Sequence, residues 1–176
     1  MNREGELFLK GMTLVVVTKN DCSGCELMYR KTLSSAEVEQ ELEAKWEVHS
    51  VDEKGPHGIT DLIWYPTTVA YDRNFAVLRR EEGFIPAYEF MVFLRLAEAR
   101  ELLNQHAYEN SRSVLMKTWK TYPLSGLMPE CLYYIGVASH LNQEPRQTAR
   151  IWRILRDKYP AASWAHKAML QWPPKP

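Results

Sequence analysis

Cysteine is scarce in this chain. Three in 176 residues are too few for a scaffold built on disulfides. Net charge is missing as well. The 22 Lys and Arg balance the 22 Asp and Glu, so no global field recruits nucleic acid or a membrane surface. No apolar run approaches the length of a transmembrane helix. Met1-Asn2-Arg3-Glu4-Gly5-Glu6 is polar and no apolar h-region follows it, so a secretory signal is not expected. These absences point to a cytoplasmic protein with neither nucleic acid nor membrane among its partners.

What is present is enough for a packed core. Hydrophobic residues make up 45% of the chain, against wholesale disorder. The length suits one large domain or two small ones. Charge is unevenly spread. Residues 1–100 carry 12 Lys/Arg against 17 Asp/Glu, net −5, and residues 101–176 carry 10 against 5, net +5. That asymmetry fits two regions with different surfaces, and equally two solvated faces of one small protein.

The chain is organised around Asp21-Cys22-Ser23-Gly24-Cys25. Before it, the β-branched run Met12–Thr18 reads as a buried strand that ends at the turn Lys19-Asn20-Asp21. After it, Glu26–Lys31 are good helix formers with apolar residues at helical intervals. Cys22 then falls at a helix N-terminus and Cys25 one turn inside. The free N–H groups and the dipole place about half a positive charge there. A thiolate at that point is stabilised, and its pKa falls below the free value of about 8.5. Cys22 becomes a nucleophile, and Cys25, on the same face, can resolve a mixed disulfide. Gly24 lets the turn tighten. Asp21 acts in the opposite sense, because a carboxylate beside Cys22 disfavours the thiolate. A zinc site is the other use of such a pair, but it needs two more ligands. Cys131 lies in a distant helical stretch, and no His pair at metal spacing stands nearby. No metal and no cofactor is expected.

The strand, the Cys22-Ser23-Gly24-Cys25 motif, the helix, a further strand Trp46–Asp52 and then Tyr65-Pro66-Thr67-Thr68 together resemble the thioredoxin superfamily over roughly residues 10–103. The resemblance implies an α/β thioredoxin-like fold and a cis-proline at Pro66 facing the cysteines. It also implies that Tyr65, the residue before that proline, faces substrate. Asp21, Ser23 and Gly24 are the residues that tune the redox pair. Two departures stand out: Asp21 replaces the usual Trp before the first cysteine, and Val16 takes the place of the buried acid that assists the second. The Ser-Gly dipeptide differs from the familiar Gly-Pro pair, so the direction of catalysis does not carry over.

The remaining elements follow in order. Glu6–Lys10 is a candidate edge strand. Ser34-Ser35-Ala36-Glu37 has the pattern of a helix cap supported by Glu, restarting the helix through Val38 and Leu42. Gly55-Pro56-His57-Gly58 breaks the chain, and Ile59–Trp64 reads as a short helix. Pro66–Tyr71, the turn Asp72-Arg73-Asn74 and Phe75–Arg79 form a hairpin. Gly83-Phe84-Ile85-Pro86 leads into a helix over Pro86–Leu103, whose stripe Phe90, Phe93, Leu94, Ala97 and Leu102 is expected to pack on the sheet. Trp46 and Trp64 are read as core, and His49 and His57 carry no assigned role.

From about Gln105 the pattern is all helical: Ala107–Lys120, Pro129–Leu141, Arg146–Lys158 and Ser163–Gln171, punctuated by Tyr122-Pro123 and Tyr159-Pro160. This segment resembles tetratricopeptide repeats, helix-turn-helix units of about 34 residues. Leu132, Ile135 and Gly136 stand at the spacing of that family's Trp, Leu and Gly. Trp152 takes the late aromatic position and Pro160 the closing proline. Ser139 replaces an aromatic and Thr148 a small residue. Cys131 is read as a helix-core cysteine, and the series Arg146, Arg150, Arg153, Arg156 as a solvated face.

The resulting expectation is a thioredoxin-like domain over 1–104 and a tetratricopeptide-like extension over 105–176. Its activity would be thiol–disulfide exchange with protein thiols and disulfides, catalysed by Cys22 and Cys25, with substrate held beside Tyr65 and Pro66. Residues 105–176 would bind a protein partner. The competing expectations are an adaptor or co-chaperone built on the same scaffold, and metal delivery through the cysteine pair.

Overall fold

The computed structural model describes residues 11–55 and 57–169. The candidate strand Glu6–Lys10 and the last two residues of the helix expected over Ser163–Gln171 lie outside them. The chain forms two compact units, Met1–Met91 and Val92–Pro176. The sequence puts its division at 104/105, at the end of the helix that here runs from one unit into the next. Among the described residues no helix is long and apolar enough to cross a membrane.

In the first unit, β1 (Met12–Thr18) is central. Its β-branched residues suit a pleated, covered position, and Leu14, Val16 and Val17 are fully buried. β1 pairs in parallel with β2 (Trp46–Asp52) and antiparallel with β3 (Thr67–Tyr71). β3 pairs antiparallel with β4 (Val77–Glu82), with an irregularity at Ala70/Tyr71. The order is β2-β1-β3-β4. A parallel pair needs a crossover. Here it contains α1 (Ser23–Leu27), a π-helical stretch Met28–Leu33 and α2 (Ala36–Lys45). A β-α-β unit followed by an antiparallel hairpin and a helix is the thioredoxin-like α/β fold that the sequence implied.

The π-helical stretch closes with Ser34 N–H on Tyr29 O, 3.2 Å. Within it Thr32 is buried and its hydroxyl donates to Ile85 O at 2.5 Å, which ties the helix to the segment after β4. Ser35 is the N-cap residue of α2, but no side-chain hydrogen bond caps that end. The capping pattern placed the start of the helix correctly, although the Ser35 hydroxyl makes no cap bond.

Two boundaries differ from expectation. No helix forms at Ile59–Trp64. Gly58 and Asp61 both have left-handed φ, +62° and +57°, and Pro66 biases Tyr65 towards extended backbone. The carbonyls of Thr60 and Asp61 are taken by the Arg80 guanidinium, at 3.2 and 2.7 Å, instead of by helix N–H groups. The second hairpin strand starts at Val77, two residues late. The Asp72 carboxylate accepts from Asn74 N–H and Ala76 N–H, each at 2.8 Å, and this keeps Phe75 and Ala76 in the turn.

α3 (Ala87–Asn104) follows. Of its expected stripe, Phe90, Phe93, Leu94 and Ala97 are buried and Leu102 is half-buried. The second unit continues with α4 (Tyr108–Thr121), α5 (Met128–Leu141), α6 (Pro145–Lys158) and α7 (Ser163–Met169). α5 packs against α4, α6 and α7. The connections repeat at an interval of 37 residues. Ala107 N–H bonds Leu102 O and Glu144 N–H bonds Ser139 O; Tyr122 N–H bonds Thr118 O and Tyr159 N–H bonds Leu155 O. Tyr122 and Tyr159 have nearly the same C-cap backbone, ψ 51° and 52°. The interval exceeds the tetratricopeptide period of about 34.

Gly136 marks a close helix contact in this unit. A Cβ there would collide with the Trp152 indole, whose Nε1–H donates to Tyr133 O at 3.1 Å and whose ring stacks on Tyr133. Ser139 and Thr148 are fully buried, and each hydroxyl is satisfied one turn back on its own helix, at Ile135 O and Glu144 O. Cys131 is fully buried, with its thiol against Leu115 O at 3.5 Å. Burial, followed by the Glu130 charge, pushes its pKa far above the ordinary thiol range.

Candidate active site

β1 ends at Thr18, and Thr18 O accepts from Glu53 N–H at 2.8 Å. The chain then turns through Asp21, which has φ +55°, a conformation Asp tolerates better than most residues. This turn sets Cys22 as N-cap of α1, with extended backbone. Cys22 and Cys25 form a disulfide with their Cα atoms 5.2 Å apart. The Cys22 sulfur accepts from Cys25 N–H at 3.1 Å. An N-cap side chain takes up a donor that the helix leaves unpaired, so the same contact favours negative charge on that sulfur once the bond is reduced. The two cysteines differ in access. Cys22 is half-exposed, whereas Cys25 is 5% exposed.

The Tyr65–Pro66 segment approaches this pair. A Cβ on Gly24 would lie 3.2 Å from Tyr65 O and 3.4 Å from Pro66 Cδ. Only glycine lets the two backbones come so close without displacement. The Tyr65–Pro66 peptide bond is cis, and Pro66 is buried. Pro66 O accepts from Gly83 N–H at 2.7 Å, and the Thr67 hydroxyl donates to Trp64 O at 2.6 Å. The Tyr65 ring lies 5.7 Å from Lys19 Nζ. Desolvation first, then a hydrogen bond and charge from Glu53, then Asp52, hold the Tyr65 phenol above its ordinary pKa. The structure thus places Gly24, Tyr65 and Pro66 together with the cysteines. Asp21 and Ser23 are exposed beside them.

Among the solved structures to which the chain is similar is a thioredoxin from Thermus thermophilus. Identity is 27%, over 52% of this chain and 76% of that one, with a TM-score of 0.46. No protein-family model and no curated protein sequence matches.

Two features of the site are not legible in the sequence. Ile63 and Trp64, just before Tyr65, are exposed at 77% and 66%. Without a helix over Ile59–Trp64 both side chains face solvent, so Trp64 is exposed, contrary to the core position expected of it. Trp46, by contrast, is core, at 1% exposure. Val16 pairs with Thr68 across the β1–β3 ladder, and the buried Thr68 hydroxyl has no hydrogen-bond partner among the described residues. No local sequence signal marks a threonine for that state. Among the described residues no group of three or more His, Cys, Asp and Glu is arranged to hold a metal ion.

Proposed function

We propose that this protein is a thiol–disulfide oxidoreductase acting on protein substrates through Cys22 and Cys25. The observation that carries this reading is the asymmetric pair: a half-exposed N-cap sulfur that accepts a backbone N–H, joined to a buried partner. In the reduced protein, Cys22 thiolate attacks one sulfur of a substrate disulfide. That S–S bond breaks, the departing sulfur takes up a proton, and a mixed disulfide forms. Cys25 then loses its proton and attacks Cys22 Sγ. The Cys22–Cys25 disulfide forms and the second substrate thiol leaves. The substrate gains two electrons and the protein loses two. The steps run backwards when the substrate is a dithiol.

Tyr65 and Pro66 would hold an extended substrate segment against the cysteines, in the manner of strand addition. Asp21, Ser23 and Gly24 would tune the pair. The helices beyond residue 104, read as tetratricopeptide-like, would bind a protein partner. Three cysteines, one of them a buried free thiol, fit a reducing cytoplasmic setting.

Cys22→Ser should abolish exchange with a protein disulfide. Cys25→Ser should accumulate mixed disulfides with substrate, seen as adducts on a non-reducing gel that dithiothreitol removes. Full turnover by the Cys22 variant would contradict the mechanism. The adaptor reading draws on the absence of an ionisable group at Val16 and on the repeated helical connections. A Cys22→Ser/Cys25→Ser protein that keeps every partner and the cellular phenotype would favour it.

A further inference from the structure

Helix α6 turns Arg146, Arg150 and Arg153 to solvent along one face. At 1.5 Å per residue the three span about 10 Å. None of them makes a hydrogen bond or an ion pair among the described residues. Each has another of the three a turn away, an arrangement that costs a helix stability. Arg156 differs from them. Its Nη1 donates to Ala168 O at 3.4 Å, and with Lys158 it occupies the last turn, where the helix dipole favours cations. That pair has a structural reason to be basic, and the three exposed arginines do not.

The internal repeat supplies a comparison within the chain. At the 37-residue interval, Arg146, Arg150 and Arg153 correspond to Glu109, Ser113 and Met116 of α4. The helix position therefore does not itself require arginine. Beside Arg146 lies a shallow depression of about 460 Å³ lined by Glu144, Pro145, Arg146 and Gln147. The Glu144 carboxylate is already engaged, by Arg112 at 2.7 Å and by Asn142 at 2.8 Å, so it leaves the Arg146 charge unmatched.

We propose that this face binds an acidic protein segment that presents carboxylates at helical spacing. The inference names the chemistry of the partner assigned above to residues 105–176 and rests on that reading. Arginine's planar fork suits carboxylates, and glutamates at i, i+4 and i+7 of a facing helix repeat the same 1.5 Å rise. The extent of the patch argues against nucleic acid. It is confined to about 10 Å, and Asp157 follows Arg153 one turn on, which breaks a long phosphate track. Exposed ion pairs are individually weak, so the complex should be salt-sensitive and short-lived.

The test uses the full chain and a fluorescein-labelled helical peptide with Glu at i, i+4 and i+7, followed by fluorescence anisotropy. Binding should weaken with salt and fall about tenfold or more in Arg146→Gln/Arg150→Gln/Arg153→Gln. The same variant should exchange a small-molecule disulfide at the unaltered rate, and Cys22→Ser should bind the peptide normally, so the binding and redox readings fail separately. Equal binding of a peptide with Gln in place of Glu would overturn the proposal. So would unchanged affinity in the triple variant, or tighter binding of a single-stranded oligonucleotide of matched charge.

Discussion

Cys25 and Cys131 are both buried, and what surrounds each decides its chemistry. Cys25 lies one turn from a half-exposed sulfur at a helix start. Cys131 faces Leu115 O inside a helical layer, and burial raises its pKa well above the ordinary value. It should resist alkylation by iodoacetamide in the folded protein and react once the chain is unfolded. The shift also fixes a sign for stability. Above the ordinary thiol pKa of about 8.5, the unfolded chain has lost a proton that the folded chain keeps, so stability falls as pH rises. Between pH about 8 and about 10, wild type should lose more stability in urea than Cys131→Ala. Equal losses would show that the thiol is not desolvated. The tuning role proposed for Asp21 can be tested on Cys22. Replacing its carboxylate with the neutral amide in Asp21→Asn should ease ionisation of Cys22. The pH profile of Cys22 alkylation in the reduced protein should therefore move to lower pH.

At the scale of elements, what was legible in the sequence was what local pattern dictates. The β-branched run became β1, the cysteine motif fell at the start of α1, and the Tyr-Pro pairs marked the ends of α4 and α6 within a residue or two. The misses arose where a distant group took over. Arg80 claims the carbonyls of Thr60 and Asp61, so Ile59–Trp64 stays unwound and exposes Trp64. Asp72 holds Phe75 and Ala76 out of β4. Within the site, Cys22, Gly24, Cys25, Tyr65 and Pro66 could be brought together on paper through a family resemblance. The exposure of Trp64 and the unpaired Thr68 hydroxyl depend on packing that no window of sequence contains. Gly136 makes a quantitative case. In an open helix, Gly→Ala gains about 1 kcal/mol. Here the new methyl meets an indole that is already stacked and hydrogen-bonded, and overpacking costs about 1–3 kcal/mol. Gly136→Ala should therefore destabilise the helical unit, seen as a lower denaturation midpoint. A raised midpoint would mean that Trp152 yields freely.

For the molecule as a whole, each unit carries one unsatisfied capacity. The first carries a sulfur pair just past the end of its central strand. The second carries three unmatched arginines on a helix whose fold does not need them. For the sulfur pair the deciding measurement is a redox equilibrium titration of the full chain in thiol/disulfide buffers, read by alkylation of Cys22 and Cys25. A working dithiol gives a reversible two-electron transition confined to these two residues, with Cys131 unmodified throughout. The midpoint would then assign the protein as reductant or oxidant against the cytosolic poise. Two thiols that stay free across the whole range would rule out disulfide exchange and leave the helical unit as the working part.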